Sequence, residues 1–214
     1  MQRIAFIGAG IMGKSMVRNL KKADFTVQIY ARRPEKVAEL VQEGIELFST
    51  IGDCVKEADA VITIVGFPSD VEEVYFGSGN ILDSAKKGAC LIDMTTTSPE
   101  LDKRIYEEGK KRGLHVLDAP VTGGDTGAKN GTLSILVGGD REDFESCQKM
   151  FEAMGKNIKY FGPSGSGQHA KAVNQIMVAA NLAGVCEAYT YAKAYGLNLE
   201  TITDALADGA AGSW

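Results

Sequence analysis

One amine and two side-chain amides are spaced so that they could share a face of a helix. Lys171, Asn174 and Gln175 occupy positions i, i+3 and i+4, close to a glycine-rich helix start. Apolar neighbours such as Val173 and Met177 would desolvate the amine, and the positive helix end would lower its pKa further. The pattern predicts a lysine that exchanges protons near neutral pH. The alternative is a solvated lysine at a helix start.

Residues 118–124, with the sequence DAPVTGG, combine a hydroxyl with two glycines at the end of a predicted strand. Ligands of open α/β sheets bind at the carboxyl edge of the strands, where this segment would lie. The amides of Gly123 and Gly124 can approach an anionic group without a Cβ in the way, and the Thr122 hydroxyl adds a donor. We predict that the segment binds a small carboxylate. A loop that needs its glycines only for positive φ angles is the open alternative.

A third group of residues has the spacing of a dinucleotide-binding loop. It directly follows the predicted strand at residues 3–7 and consists of Gly8, Ala9, Gly10, Ile11, Met12 and Gly13. In such a loop the first glycine permits a tight turn, the second lets a pyrophosphate approach the backbone, and the third allows close packing of helix and strand. The phosphates would face the positive end of the following helix. The segment therefore predicts a Rossmann-type dinucleotide site.

The end of the second predicted strand bears on which dinucleotide is bound. An NAD site has an Asp or Glu about 20 residues beyond the glycine loop, where it accepts hydrogen bonds from the ribose. Here Arg32 and Arg33 stand in place of a carboxylate. Guanidinium groups offer paired, planar donors to a phosphate, so the sequence favours NADP over NAD, with Arg32 as the first choice for its 2′-phosphate. Two solvated arginines in a loop are the alternative.

The same loop also fits the spacing of a P-loop, because four residues separate Gly8 from the sequence GKS at residues 13–15. Such a site would make the chain an NTPase with Lys14 on the phosphates. We favour the dinucleotide interpretation, since it alone explains Gly10. Neither histidine has a companion at metal-ligand spacing, so no metal site is predicted.

The elements that must position these groups alternate along about three quarters of the chain. Short apolar runs predict strands at residues 3–7, 26–30, 60–65, 89–93, 115–118 and 132–137. Apolar residues three and four apart predict helices at residues 12–23, 34–43, 99–112 and 141–154. This alternation predicts an α/β fold, with a doubly wound Rossmann-type parallel sheet covered by helices on both faces.

The pattern changes after a glycine-rich segment. Residues 168–195 contain no proline and predict one long helix of about 40 Å that ends at Gly196. A further helix is predicted at residues 198–207. We expect an NADP-binding domain over residues 1–163. Residues 164–214 would form an interdomain helix and the start of an all-α domain that is incomplete, because so few helices cannot bury a core.

The composition argues against a nucleic-acid-binding, secreted or membrane protein. Lys and Arg number 23 against 28 Asp and Glu, and the resulting net charge of −5 leaves no basic excess for binding nucleic acid. The four cysteines lie far apart, which favours reduced thiols. No secretory leader or membrane-spanning run is recognised, so we expect a cytoplasmic protein with no membrane partner.

Taken in order, these motifs are similar to those of the β-hydroxyacid dehydrogenase family. The family includes 3-hydroxyisobutyrate dehydrogenase, tartronate semialdehyde reductase and, more distantly, 6-phosphogluconate dehydrogenase. The matching segments are residues 7–13, 92–99, 118–124 and 165–167, the last followed by Lys171 and Asn174. The resemblance implies that Thr96, at the position of a hydroxyl that contacts the cofactor, and Val65 and Gly66, in the loop after the family's fourth strand, bind the cofactor. Family members continue through a longer helical domain.

The resemblance implies reversible hydride transfer between NADP and a small 3-hydroxy carboxylate, which gives a semialdehyde. Lys171 would exchange the hydroxyl proton, and Asn174 would orient the substrate and the lysine. The substrate would be held by Thr122, Gly123, Gly124, Lys171, Asn174 and Gln175. A homodimer is a reasonable expectation, because a second copy could supply missing helices. The alternative function is an NADP-binding module without catalysis.

Overall fold

The structure is a computed structural model that describes residues 2–209 and 211–212. These residues form two compact units, which divide inside a long helix between Lys171 and Ala172. The domain boundary proposed from the sequence, after residue 163, stays a prediction.

The first unit is organised around a sheet with nine strands in the described part of the chain. They are β1 (Arg3–Ile7), β2 (Thr26–Tyr30), β3 (Glu46–Phe48), β4 (Ala60–Thr63), β5 (Cys90–Asp93), β6 (His115–Asp118), β7 (Val121–Thr122), β8 (Leu133–Gly139) and β9 (Gly155–Gly162). Their order is β3-β2-β1-β4-β5-β6-β8-β7, with β9 paired to β8. Neighbours from β3 to β6 are parallel, so their carboxyl ends meet at one edge.

Helices connect these strands and then continue beyond the sheet. They are α1 (Ile11–Lys22), a 3₁₀ turn (Pro34–Val37), α2 (Ala38–Gln42), α3 (Ile51–Val55), α4 (Pro68–Phe76), α5 (Ile81–Ser84), α6 (Pro99–Lys111), α7 (Gly124–Asn130), α8 (Arg141–Ser146), α9 (Gln148–Met154), α10 (Ser166–Ala194) and α11 (Leu199–Ala207). Several of those before α10 are crossovers between parallel strands, as a doubly wound sheet requires.

Alternate residues of β1 point to opposite faces of the sheet and reach two separate hydrophobic clusters. Ile4 and Phe6 belong to a cluster that includes Leu20 on the buried side of α1. Ala5 and Ile7 belong to the other cluster, with buried side chains of α3, α4, α5 and α6. The period of two along the strand and the helices on each face confirm the predicted doubly wound Rossmann-type fold.

The sheet departs from a wholly parallel one at its second edge. β8 runs antiparallel to β6 and to β7, because the chain reverses through α7 between β7 and β8. The sequence analysis missed β3 and β7, which are too short to show a pattern, and β9, which is largely exposed. The helix expected at residues 34–43 begins as a 3₁₀ turn, and the one expected at residues 141–154 is interrupted at Cys147.

The long helix predicted at residues 168–195 is confirmed as α10, which begins two residues earlier at Ser166. Gly196 follows its end with φ +69°, and the Leu197 amide donates to the Ala192 carbonyl at 2.9 Å, which closes the last turn. Asn198 then caps α11 by accepting a hydrogen bond from the Thr201 amide. Of the helices in the described residues, none combines the length and the apolar character needed to cross a membrane.

Candidate active site

The loop between β1 and α1 brings backbone amides to the carboxyl edge of the sheet. Gly8 has φ +100°, which L side chains rarely adopt, and its carbonyl accepts a hydrogen bond from the Gly10 amide at 2.8 Å. A Cβ on Gly13 would lie 2.3 Å from the Gly8 carbonyl oxygen, so only glycine lets α1 approach β1 this closely. Apart from Gly10 and its chain neighbours, no atom of the described residues lies within 4 Å of a Cβ built on Gly10. The three glycines therefore have the environments that a dinucleotide loop requires.

This loop forms one side of a cavity of about 650 Å³. The cavity is lined by most of the residues predicted to bind a cofactor, namely Gly8, Ala9, Gly10, Ile11, Met12, Gly13, Arg32, Arg33, Val65 and Gly66. This volume lies within the range of about 300 to 1,000 Å³ that is usual for small-molecule and cofactor sites. Thr96 lies outside this lining, exposed in the loop after β5, so its contact with a cofactor stays a prediction.

Arg32, at the end of β2, faces two carboxylates of α4. Its guanidinium lies 2.9 Å from Asp70 Oδ1 and 3.6 Å from Glu73 Oε2. Arg33 and Lys36 line the same part of the cavity. The sequence analysis missed Asp70 and Glu73, because they follow a different strand and show no motif of their own. Arg32, which is predicted to bind the 2′-phosphate of NADP, thus already forms ion pairs with two carboxylates of the protein.

The ends of β4, β5 and β6 lie in register, with Thr63 beside Asp93 and Asp93 beside Asp118. Asp93 Oδ1 accepts hydrogen bonds from Thr63 Oγ1 at 2.7 Å and from the Thr95 amide at 3.0 Å. The Thr95 hydroxyl in turn accepts a bond from the Val65 amide at 3.1 Å. These bonds hold the loop after β4, which lines the cavity, against the loop after β5.

Lys171 lies in the second turn of α10, and only 7% of it is exposed. Its Nζ donates a hydrogen bond to the Val121 carbonyl at 2.8 Å. Val121 directly precedes Thr122, so the amine lies beside the segment predicted to bind a carboxylate. Burial lowers the pKa of Lys171 below its ordinary value. The lysine is desolvated, as its sequence pattern predicts, and its catalytic role stays a prediction.

The reason given for this desolvation from the sequence is wrong in part. Val173 and Met177, on the next turns of α10, are 60% and 61% exposed, so they do not bury the amine. The contact that the structure gives for Nζ is with β7, a strand that the sequence pattern did not reveal. Burial is the cause of the lowered pKa, and the predicted contribution of the positive helix end stays a prediction.

Two side chains that the sequence analysis gave no role fix the start of α10. Asp118 accepts hydrogen bonds from the Gly165 amide at 2.7 Å and the Gln168 amide at 3.0 Å. The Gln168 side chain donates to the Thr95 carbonyl at 2.7 Å. Because Lys171 follows Gln168 by one turn, these bonds fix the lysine with respect to the ends of β5 and β6.

A cluster of buried carboxyl groups lies beneath this edge of the sheet. Asp102 of α6 accepts a hydrogen bond from Gln168 Nε2 at 2.8 Å, and Asp93 Oδ2 is buried with no hydrogen-bond partner among the described residues. Burial raises the pKa of Asp93, Asp102 and Asp118, and for Asp118 backbone amides oppose the rise. The charge of Asp93 also raises the pKa of Asp102, so the two carboxyl groups titrate as a pair. In the sequence, Asp102 is indistinguishable from a solvated helix residue.

The remaining residues predicted to bind the substrate differ in their burial. Thr122 is partly buried on β7, while Gly123 and Gly124 are exposed with φ +126° and +63°. Both glycines thus have the positive φ angles that would explain their presence without any ligand. Binding of a carboxylate by this loop stays a prediction. Asn174 Oδ1 has no hydrogen-bond partner among the residues described, and Gln175 is exposed. Both lie past the division between the units, so their roles also stay predictions.

The chain matches two family models over adjoining segments. Residues 3–162 match a family described as the NAD binding domain of 6-phosphogluconate dehydrogenase. Residues 165–214 match one described as NAD-binding of NADP-dependent 3-hydroxyisobutyrate dehydrogenase.

Individual relatives agree with these matches. An uncharacterised oxidoreductase of Bacillus subtilis, YkwC, is 53% identical over 211 residues, which are 99% of this chain and 73% of the relative. The NAD-dependent L-serine dehydrogenase of Pseudomonas aeruginosa is 36% identical over 100% of this chain and 72% of its own length. The structure of Mycobacterium tuberculosis 3-hydroxyisobutyrate dehydrogenase with L-serine superposes with a TM-score of 0.90 at 30% identity, and the match covers 100% and 72% of the two chains.

The two family models together match nearly the whole chain, and the glycine loop and the helix that carries Lys171 lie where the motifs predicted them. The resemblance inferred from the sequence is therefore confirmed: the chain belongs to the β-hydroxyacid dehydrogenase family.

Proposed function

We propose that this chain catalyses hydride transfer between NADP(H) and a small 3-hydroxy carboxylate or its semialdehyde, with Lys171 as general acid and base. The observation that carries the proposal is the buried amine of Lys171, which is held by the Val121 carbonyl directly beside Thr122. A buried lysine at the carboxyl edge of an open α/β sheet lies where such sheets bind their ligands.

The residues around the 650 Å³ cavity fit a nicotinamide dinucleotide. The pyrophosphate would lie against the backbone at Gly10, where no protein atom occupies the space that a Cβ would take. The start of α1 carries no acidic residue in its first turn that would repel the phosphates. Arg32 and Arg33 would hold the 2′-phosphate of NADP. When bound, the nicotinamide would supply or accept the hydride.

Lys171 would move the proton that accompanies this chemistry. In the oxidation direction the neutral amine takes the proton of the substrate hydroxyl at Nζ, and in the reduction direction the ammonium group returns it. Desolvation favours the neutral form, which raises the fraction of enzyme ready to act as a base near neutral pH. The bond to Val121 fixes Nζ while the nitrogen can still face a substrate.

The substrate carboxylate would bind to Thr122 and the amides of Gly123 and Gly124, next to the lysine. Asn174, one helical turn after Lys171, would orient the substrate hydroxyl, and Gln175 would contribute a further contact. The relatives support this substrate class. L-serine, which is named with both the Pseudomonas aeruginosa and the Mycobacterium tuberculosis protein, is itself a 3-hydroxy carboxylate.

Two other functions were open from the sequence. A cofactor-binding module without catalysis is not favoured, because it gives no reason for burying Lys171 beside Val121. An NTPase would use Lys14 on the phosphates, but it gives no reason for Gly10, which the dinucleotide loop explains. The matches of both segments to NAD-binding families also oppose the NTPase.

The test is replacement of Lys171 by Met, which keeps the length and apolar stem of the side chain. We expect the rate of semialdehyde reduction with NADPH to fall by about 10³, as loss of a general acid does, while the Kd for NADPH changes by less than about threefold. Lys149→Met, on the exposed side of α9, is the matched control and should keep full activity. A panel of small semialdehydes and hydroxy acids defines the substrate. Retained turnover in the Lys171 variant contradicts the proposal.

A further inference from the structure

The ion pairs of Arg32 bear on which dinucleotide the site accepts. In the proposed function, Arg32 binds the 2′-phosphate that distinguishes NADP from NAD. In the structure the guanidinium instead faces Asp70 at 2.9 Å and Glu73 at 3.6 Å. Both carboxylates line the same cavity as Arg32. A phosphate that approaches Arg32 must therefore approach two negative charges as well.

Asp70 is fixed in its direction by a second bond. Its Oδ2 accepts a hydrogen bond from the Phe67 amide at 3.0 Å, at the start of α4, while Oδ1 faces Arg32. The Asp70 side chain is only 15% exposed, so water and salt screen its charge poorly. Glu73 lies one turn later, farther from Arg32, and its side chain is 65% exposed. Asp70 should therefore interact with Arg32 more strongly than Glu73 does, because it is both closer and less exposed.

We propose that Asp70 and, more weakly, Glu73 set the cofactor selectivity of this site by competing with the 2′-phosphate of NADP for Arg32. The inference rests on the proposed function, because it assumes that the cavity binds a nicotinamide dinucleotide. A 2′-phosphate carries about 1.5 to 2 negative charges near neutral pH, whereas the ribose hydroxyls of NAD are neutral. The two carboxylates consequently weaken NADP binding and leave NAD binding nearly unchanged, and the site accepts both.

The decisive variant is Asp70→Asn. Asparagine keeps an oxygen that can accept the Phe67 bond, but it removes the charge beside Arg32. We expect the ratio of the Kd for NAD to the Kd for NADP, measured by titration calorimetry without substrate, to rise about fivefold, which is about 1 kcal/mol. Glu73→Gln should raise it about twofold. Because Glu73 is exposed, that variant keeps the test valid if Asp70→Asn disturbs α4.

Glu72 provides the matched control on the same helix. Its carboxylate pairs with Arg104 at 2.7 Å, and Glu72 does not belong to the lining of the cavity. Glu72→Gln removes the same charge from α4, so a general effect of the net charge would show there too. We expect the affinity ratio of this variant to equal that of the wild type.

A double-mutant cycle tests whether the effect passes through Arg32. In an Arg32→Ala background, Asp70→Asn should change the affinity ratio by less than half as much as in the wild type, because the contested cation is gone. An unchanged or lowered ratio in Asp70→Asn, or an equal change in Glu72→Gln, overturns the inference. A wild-type protein that binds neither dinucleotide contradicts the proposed function instead.

Discussion

The glycine loop and the start of α10 are held in place in opposite ways. The glycine loop, residues 8–13, lines the cavity, and its internal hydrogen bond joins residues two apart, from the Gly10 amide to the Gly8 carbonyl. At the start of α10, side chains make the hydrogen bonds, and each bond joins distant parts of the chain. Asp118 and Gly165 are 47 residues apart, Val121 and Lys171 are 50 apart, and Thr95 and Gln168 are 73 apart.

This difference separates two kinds of sensitivity to mutation. The glycine loop should be sensitive chiefly to substitutions at its own glycines, because a Cβ on Gly8 would meet the Ile64 carbonyl oxygen and a Cβ on Gly13 would meet the Gly8 carbonyl oxygen. The start of α10 depends on the whole first unit being folded, because its bonds come from the loop after β5, from β6 and from β7. Substitutions in the two regions should therefore change different measurements.

The largest effect on stability and on cofactor affinity should come from Gly13→Ala. Its Cβ would lie 2.3 Å from the Gly8 carbonyl oxygen and 3.1 Å from the Phe6 ring, so α1 must move away from β1. We expect the free energy of unfolding to fall by about 3 kcal/mol, as overpacking a tight contact does. The Kd values for NAD and NADP should both rise by about 100-fold, because the amides lose their arrangement. Urea unfolding and calorimetry measure the two effects.

Gly10→Ala is the matched control within the same loop. Its Cβ would have no contact within 4 Å in the described part of the chain apart from its own neighbours, and Gly10 already has an extended backbone with φ −78°. Its free energy of unfolding should change by less than about 0.5 kcal/mol. The Kd for either dinucleotide should still rise, because the methyl group enters the cavity. Equal destabilisation by the two substitutions would contradict the separate roles of these glycines.

Asp118→Asn should have the next largest effect and should leave the glycine loop untouched. Asparagine replaces one of the two oxygens that accept bonds from the Gly165 and Gln168 amides with an NH₂ group. A buried amide that loses its acceptor costs about 2 kcal/mol. The free energy of unfolding should fall by that amount, and kcat should fall about tenfold because Lys171 shifts.

The Kd for NADP is the measurement that separates Asp118→Asn from general unfolding damage, and it should stay within about twofold of the wild type. Asp204→Asn, on the exposed surface of α11, serves as the control for loss of a carboxylate and should change none of the three quantities. A large loss of NADP affinity in Asp118→Asn would show that the two regions are not independent.

The same contrast decides how much the sequence could predict. The glycine loop and its flanking strand and helix follow from a six-residue spacing, and the strands β1, β2, β4, β5 and β6 follow from short apolar runs. Lys171, Thr122 and the loop glycines were proposed as site residues from their motifs, and those roles stay predictions. The strand predicted at residues 132–137 corresponds to β8. Its antiparallel direction could not be predicted, because strand direction depends on how α7 turns the chain.

The residues that support the site could not be predicted, for a related reason. Gln168 and Asp102 are ordinary polar residues in helical patterns, and their burial becomes visible only when α6 and α10 lie beside the ends of β5 and β6. Asp70 is likewise one of several acidic residues on α4, and its pairing with Arg32 depends on β2 and β4 flanking the same strand. Long-range packing supplies this information, and a single sequence does not carry it.

The smallest expected effect is on the free energy of unfolding, and it comes from removing the buried amine of Lys171. Its folded pKa lies below the ordinary value of about 10.4 that the unfolded chain has. Between these two pKa values the unfolded state binds more protons, so the stability of the wild type should rise with pH in that range. Lys171→Met lacks this proton equilibrium, and near pH 7 it should be more stable than the wild type by about 1 kcal/mol.

Urea unfolding of both proteins from pH 7 to pH 10 should show that the higher stability of Lys171→Met diminishes as pH rises. An advantage that stays constant or grows would mean that the amine is not desolvated, and the contrast with the solvent-facing glycine loop would fail.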